Sequence, residues 1–435
     1  MTEEVISFDR TEKSFSIVER PEKYSELFRL TKGPIIAKGA GLSYGNAAAV
    51  QEGISVDMRY FNRIHSFDPV QERITVEAGI TIGELNSFLI NEGYLLAVLP
   101  GYPFITVGGC IAFNVHGKAQ FKIGTFKDWV EALTVYHPSK GEVPCSATEN
   151  PELFDLTIGG MGFTGIILTA TLRLKKLAGN QLQINTINAK NIEEAVAVMQ
   201  QHSGNFDYVY SWNNFNRRGD AFGKGIVYLE KITEQMVPLK KPKPFVSRLP
   251  SNKWPTLWNG LTIPLMCHFY YTMNQVKPVA GPVSLYEASF PIYGKEIYYH
   301  LFGRKGFREY QVIFPYDTWP TACAEIKKLV AEEDVSIALG SLKLFRGATH
   351  NISFSGEGIC VAIDVPNTKK SIRFFEKLDA ITIRHNGIIN LSKDSRITAE
   401  LARQVFGGYD NFKQRIQTYD PEKLFRSDLR TKLGI

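Results

Sequence analysis

No CxxC pair occurs in the 435 residues, and the five cysteines, Cys110, Cys145, Cys267, Cys323 and Cys360, are odd in number and far apart. That spacing excludes a disulfide framework and a thiolate zinc site; it suits free thiols in a reducing compartment, with no metal. A long basic stripe interleaved with aromatics is also missing, and a net charge of +6 is mild for this length. The bias suits an anionic ligand and gives no argument for nucleic acid. The opening MTEEVISFDRTEKSF has no apolar signal-peptide core, so the expected location is cytoplasmic. No internal repeat or low-complexity tract is present.

Asp, Glu, Lys and Arg are all absent from residues 93–117. By charge alone that run is long enough to cross a bilayer. Pro100 and Pro103, with Gly101, Gly108 and Gly109, would break such a helix repeatedly. The run therefore reads as a buried loop-and-strand segment, in which a strand CIAFNV carries His116 and Lys118.

The rest of the composition, 44% hydrophobic and 22% charged, is that of a globular protein, and the length predicts two or three domains. PIIAKGAGLSYGN reads as a short apolar strand entering a glycine turn, with ISVDM and RITVEA as further strands. Thr81-x-x-Glu84 is a capping box that opens a helix with Ile82, Leu85, Phe88 and Leu89 on its core face, closed near Gly93. ILTATLRLK alternates, with Leu168, Ala170, Leu172 and Leu174 on one side. A boundary is expected near residue 180. Beyond it lies an aromatic, strand-rich region with helices to about residue 386, then a polar segment over 387–435. Within the second region, residues 239–272 form an insertion. It begins basic and proline-rich and continues with Trp254, Trp258, Leu261, Leu265, Met266, Phe269 and Tyr270. It reads either as a surface loop or as a flap whose lysines meet phosphates and whose aromatics meet a lipid or membrane interface.

GAGLSYG is close to GxGxxG but one residue too long. Seven residues, 47–53, separate Asn46 from ISVDM, whereas a crossover with its helix needs about 10–12. This disfavours a nicotinamide site. A nest of backbone N–H groups able to hold a pyrophosphate remains, although a plain glycine turn serves as well on this motif alone. Two further glycine-rich segments, around Gly101 with Thr106-Val107-Gly108-Gly109 and at IGGMGFTGII, suit an extended dinucleotide lying against backbone.

Taken together, AKGAGLSYGN, LPGYPFITVGG…HGK and ELFDLTIGGMGFTGII resemble the PCMH-type FAD-binding domain of the vanillyl-alcohol-oxidase superfamily. GFREYQVIFP, LKLF, GICV, LSKDSR and the ending DPEKLFRSDL extend the resemblance over most of the chain, toward the oxidases of polyprenylphosphoryl ribose. The resemblance implies an α+β protein: a two-subdomain FAD-binding domain over 1–180, an α+β substrate domain on an antiparallel sheet over 181–386, and a C-terminal segment, 387–435, returning to the FAD domain. It implies FAD, held without a covalent bond, because residues 38–46 contain neither histidine nor cysteine.

The resemblance places Lys38, Gly39, Ala40, Gly41, Leu42, Ser43, Tyr44, Gly45 and Asn46 over the pyrophosphate. Gly101, Thr106, Val107, Gly108 and Gly109 continue along the phosphate and ribityl chain, and Ile166 or Ile167 reaches the adenine end. His116, Gly117, Lys118 and Asn390 also border the cofactor. Lys393 lies between flavin and substrate, where a fixed cation stabilises developing negative charge. Its other reading is a solvated lysine in a polar tail. His116 is either a neutral base for the hydroxyl proton or a satisfied core histidine. Tyr44 assists at the flavin, and Lys118 contacts cofactor or phosphate. Gln311, Lys343 and Cys360 line the substrate pocket, Cys360 reading equally well as a buried strand cysteine. Three positions depart from the family pattern: Asn390 for a tyrosine, Glu309 for a glutamine and Gly358 for an asparagine. They leave the polyprenyl and the sugar open.

The implied activity is oxidation of the 2′-hydroxyl of a polyprenylphosphoryl-β-D-ribofuranose to the 2-keto sugar. This would be the first half of an epimerisation toward an arabinose donor for cell-wall arabinan. A lipid-linked sugar phosphate substrate, a short-chain reductase partner and a peripheral contact at the inner membrane face accompany it. A sugar, alditol or lactone oxidase is the alternative enzyme, and a non-catalytic flavin or lipid-carrier binding protein the alternative of another class.

Overall fold

The computed structural model describes residues 2–30, 33–237, 255–276 and 281–435. Three sheets carry the chain. In the first, Thr2–Ile6 pairs antiparallel with Lys13–Glu19, and Ile54–Asp57 and Ile35–Lys38 follow in parallel. The second is antiparallel, in the order Ile64–Asp68, Arg73–Glu77, Ile166–Lys176, Val130–His137, Gly141–Ser146; Tyr94–Leu96 pairs with the far end of Ile166–Lys176. The period-two pattern of Ile166–Lys176 buries Leu168, Ala170, Leu172 and Leu174. The helix Ile82–Asn91 starts at Thr81 with both hydrogen bonds of its capping box in place, and packs Ile82, Leu85 and Leu89 into the core of this sheet.

The third sheet has eight antiparallel strands: Pro282–Ser284, Gln181–Ala189, Lys224–Ile232, Tyr208–Asn214, Leu339–Phe345, Gly358–Pro366, Phe307–Phe314 and Ile388–Ile389. Alternation divides its central strands sharply. Tyr310, Val312, Leu342, Leu344, Val361 and Ile363 face one side, where they form a core with the helices Ile192–His202, Trp319–Glu333 and Lys369–Arg384. Glu309, Gln311, Ser341, Lys343, Ala362 and Asp364 face the other side and form the floor of a cleft. After Ile388–Ile389 the chain packs Leu391, Ile397, Phe406, Tyr409, Phe412 and Leu433 against Ala47, Leu156, Met161 and Phe163. It then reaches the first sheet, where Phe425 bridges to Ile35.

One expectation is overturned. CIAFNV is not a strand: Val107–Ala112 is a helix capped by Thr106, whose hydroxyl accepts from Gly109 N–H. The cap, and glycines that let the helix press on the Ala78 backbone (a Cβ on Gly108 would lie 3.1 Å from Ala78 O), outweigh the weak strand pattern of AFNV. His116 follows in an irregular segment, joined to Thr125 by a single bridge. In the insertion, Thr262–Val276 is a helix. The basic stretch and Trp254 lie outside the described residues.

Candidate active site

The cleft runs between the first glycine turn, the segments around Gly101 and Gly108–Gly109, the Met161–Gly162 turn and the floor of the third sheet. Its empty volume, open mouth included, is about 1870 Å³. Its lining extends from the glycine turns to the polar floor, so an extended ligand such as a dinucleotide can lie along it.

The turn after Ile35–Lys38 supplies donors. Gly41 has φ +68°, a left-handed conformation natural to glycine. Phe8 N–H donates to Ser43 O and Tyr44 N–H to Ser392 O, which fix the ends of the turn. Among the described residues the N–H groups of Ala40, Gly41, Leu42 and Ser43 have no protein partner, so they form the donor set an anionic diphosphate needs. Small and apolar walls, Ala37, Ala78, Met58, Ile105 and Ile167, suit flat rings. Donors and walls together fit FAD. The second glycine segment contributes differently from the expectation. Val107 N–H donates to Ile80 O, Gly108 N–H to Ala78 O and Gly109 N–H to Thr106 Oγ1. Those donors are satisfied within the fold, so this segment offers close approach of backbone and no free N–H.

Register on the third sheet arranges the floor in rows. Tyr210, Lys343 and Cys360 stand in one row, Trp212, Ser341, Ala362 and Gln311 in the next, and Leu339, Asp364 and Glu309 in the third. At two residues per row the first and third are about 13 Å apart. Lys393 reaches the third row from the turn after Ile388–Ile389. Its Nζ lies 3.1 Å from Glu309 Oε2 and donates to Tyr44 Oη at 3.2 Å. Tyr44 Oη in turn donates to Glu309 Oε2 at 3.0 Å, and the ammonium sits 4.3 Å from the Tyr44 ring centroid. Asn390 Nδ2 donates to Gln311 Oε1 at 2.5 Å and its Oδ1 accepts from Ser392 N and Oγ. The asparagine thus ties the Lys393 turn to the floor.

At the other end, Lys343 Nζ is 3.4 Å from His116 Nε2. Burial, then the charges of Lys343 and Lys393, hold His116 well below the usual imidazole range, so the ring is neutral. An ammonium has no lone pair, so Nε2 accepts from Lys343 and the ring proton belongs on Nδ1. The ring packs edge-on against Phe345. Burial also pulls Lys343 below the usual lysine range and pushes the Cys360 thiol up to about 12.

The structure thus brings Gly39–Ser43, Gly101, Thr106, Gly108, Gly109, His116, Ile167, Gln311, Lys343, Asn390 and Lys393 to one cleft. Tyr44 joins it through its hydroxyl. Others face elsewhere. Lys38 pairs with Asp57, and Asn46 donates to Ser14 Oγ. Lys118 donates to Glu230 and Ala288 O, and with Gly117 it lines a small cavity separate from the cleft. Val107 and Ile166 are core residues. Cys360 shares the face of the floor but is covered by Ile313, Phe345 and Phe354, outside the cleft lining. Gly45 lies against the turn after Lys393, where a Cβ on it would be 3.4 Å from Ser395 Cα. Gly358 has φ +149°, and a Cβ there would lie 2.6 Å from the Phe314 carbonyl carbon, so backbone geometry accounts for the glycine. Asp364, a cleft residue that reading by motif passes over, was accessible from alternation: counting by twos from Cys360 puts it on the floor.

Comparison with known proteins agrees with this cleft. Residues 19–144 match a family model described as an FAD binding domain. The chain is 27% identical over 417 residues to decaprenylphosphoryl-beta-D-ribose oxidase of Mycolicibacterium smegmatis, covering 92% of this chain and 89% of that one. It is 28% identical over 176 residues to D-lactate dehydrogenase of Anaerostipes hadrus, 39% of this chain and 37% of the relative. With L-gulonolactone oxidase of Bos taurus the identity is 30% over 156 residues, 36% and 35% of the two chains. The chain is an FAD-dependent oxidoreductase that fits the PCMH-type FAD-binding superfamily.

Proposed function

We propose that the chain oxidises the 2′-hydroxyl of a polyprenylphosphoryl-β-D-ribofuranose to the 2-keto sugar, as the first half of a 2′-epimerisation completed by a short-chain reductase. FAD, when bound, supplies the acceptor for the hydride leaving C2′. The observation that carries the reading is the polar floor, with Lys343 at one end and the Lys393–Tyr44–Glu309 cluster at the other. Lys343 is the cation for the phosphate. Lys393 donates to the reacting oxygen and lowers the cost of its negative charge. The hydroxyl proton passes to Glu309, directly or through Tyr44. His116, its Nε2 occupied by Lys343, positions the sugar.

What adjoins the floor supports a lipid-linked substrate. Trp212, beside Ser341 in register, contacts Tyr270 of the helix Thr262–Val276 with ring centroids 4.8 Å apart. That helix buries Ile263, Cys267 and Tyr271 and exposes Leu265, Met266, Phe269 and Met273. An exposed apolar stripe beside a polar cleft suits a polyprenyl tail and a peripheral membrane contact. No helix among the described residues is long and apolar enough to cross a membrane. The test is product analysis: incubation with polyprenylphosphoryl ribose is expected to yield a glycolipid lighter by two hydrogens. Borodeuteride then traps it as a ribo/arabino mixture labelled at C2′. Recovery of unlabelled starting material rejects the proposal.

A further inference from the structure

Two carboxyl groups stand together at the end of the floor remote from Lys343. Glu309 and Asp364 are partners in antiparallel register, which sets their Cβ atoms about 5 Å apart on the same face. Both line the cleft. Asp364 is 2% exposed. Its Oδ2 accepts from Tyr298 Oη at 2.8 Å, while its buried Oδ1 has no partner among the described residues. Glu309 spends Oε2 on Tyr44 and Lys393, and its Oε1 has no protein partner among the described residues. An unmade hydrogen bond on the buried Asp364 Oδ1 is costly, and with the partly exposed Glu309 Oε1 beside it this acceptor points to a ligand that completes it.

The chemistry of that ligand follows from charge. Burial and the neighbouring Glu309 carboxylate push Asp364 well above the usual carboxyl range, which favours its protonated form. An uncharged carboxyl both donates and accepts, which is what a hydroxyl requires. An anionic group would meet the Glu309 charge and the Asp364 oxygens, with the nearby Lys393 ammonium already paired to Glu309. We propose that Asp364 and Glu309 form a hydroxyl-binding subsite that grips the sugar 3′-hydroxyl beside the reacting carbon and rejects a carboxylate or phosphate at this end. The inference rests on the alcohol-oxidation reading above and deepens it. It also separates this chain from an oxidase of 2-hydroxy acids, whose substrate brings a carboxylate next to the reacting carbon.

The test is calorimetric binding to the FAD-loaded protein. The probe is methyl 2-deoxy-2-fluoro-β-D-ribofuranoside, which cannot be oxidised at C2, compared with its 3-deoxy analogue. Wild type is expected to bind the first at least tenfold more tightly. Asp364→Leu, which keeps the number of side-chain heavy atoms and removes the hydrogen bonds, should bring the two within about threefold, and Asp364→Asn should restore most of the difference. Equal binding of the two glycosides by wild type, or no binding at millimolar concentration, overturns the subsite, as does an undiminished difference in Asp364→Leu. If that variant does not fold, Glu309→Gln decides: a reduced difference supports the subsite and an unchanged one overturns it. Turnover plays no part in the readout. Failure here leaves the oxidation reading standing, and a protein that discriminates the glycosides but leaves lipid-linked ribose unoxidised keeps the subsite and loses that reading.

Discussion

Lys393 and His116 were expected to share the chemistry, and their surroundings divide the roles. Lys393 points its ammonium at Glu309 and Tyr44 in the open cleft, free to take a ligand oxygen as a further acceptor. Lys393→Ala should lower kcat/KM for the lipid-linked sugar by about 10²–10³-fold, the usual cost of one lost charge-stabilising donor, with the FAD absorbance of the purified protein retained. His116 has its basic nitrogen committed to Lys343. His116→Gln keeps an acceptor there, so its kcat/KM should fall less than tenfold, against the 10²–10⁴-fold expected for loss of a general base. Because the ring is already neutral, the pH–rate profile of the wild type should show no limb near the ordinary imidazole range. Motif reading finds both residues but not this division, because the difference lies in which side chain arrives from a strand more than two hundred positions away. Glu309 is legible only as a departure from the family pattern, and Asp364 only by counting along its strand.

Local rules carried much of the secondary structure. Thr81 and Glu84 mark a helix start that the fold realises bond for bond, and period-two alternation marks Ile166–Lys176. The failure at Val107–Ala112 is equally instructive. A six-residue helix rich in glycine has no pattern of its own, and its stability comes from a cap and from docking on Ala78, which are tertiary facts. The first glycine turn is where local sequence and function coincide. With φ +68° at Gly41, Gly41→Val forces a β-branched residue into a left-handed conformation at a cost of about 1–3 kcal/mol. Cofactor affinity should fall with it, read as a lower ratio of flavin to protein absorbance after desalting, while the far-ultraviolet circular dichroism stays unchanged.

Residues far apart in the chain hold the cleft together. The C-terminal segment supplies Lys393 and then locks onto the first sheet at Ile35, which bridges Phe425 and accepts from Arg426 N–H. Asp420 anchors this return. Its Oδ2 accepts from Arg430 Nη1 at 2.6 Å and its Oδ1 from Leu424 N–H at 2.9 Å. Burial raises its pKa, but His137, 3.9 Å away, and the hydrogen bonds from Arg430 and Leu424 outweigh this and lower it from 3.8 to about 2. A depressed carboxyl contributes stability that is full above its unfolded value and lost as pH falls through the folded one. Equilibrium unfolding should therefore show about 2 kcal/mol disappearing between pH 3.8 and about 2, and Asp420→Asn should flatten that decline. The polarity of the cleft floor, cationic at Lys343 and carboxyl-rich at Glu309 and Asp364, likewise emerges only when strands 307–314, 339–345 and 358–366 are laid side by side. The decisive measurement is an anaerobic flavin spectrum of the FAD-loaded protein titrated in parallel with polyprenylphosphoryl-β-D-ribose, free D-ribose and D-lactate. Bleaching near 450 nm by the lipid-linked sugar alone is the expected result. Bleaching by free D-ribose or D-lactate at comparable concentration, or none by the lipid-linked sugar, would contradict the proposed activity.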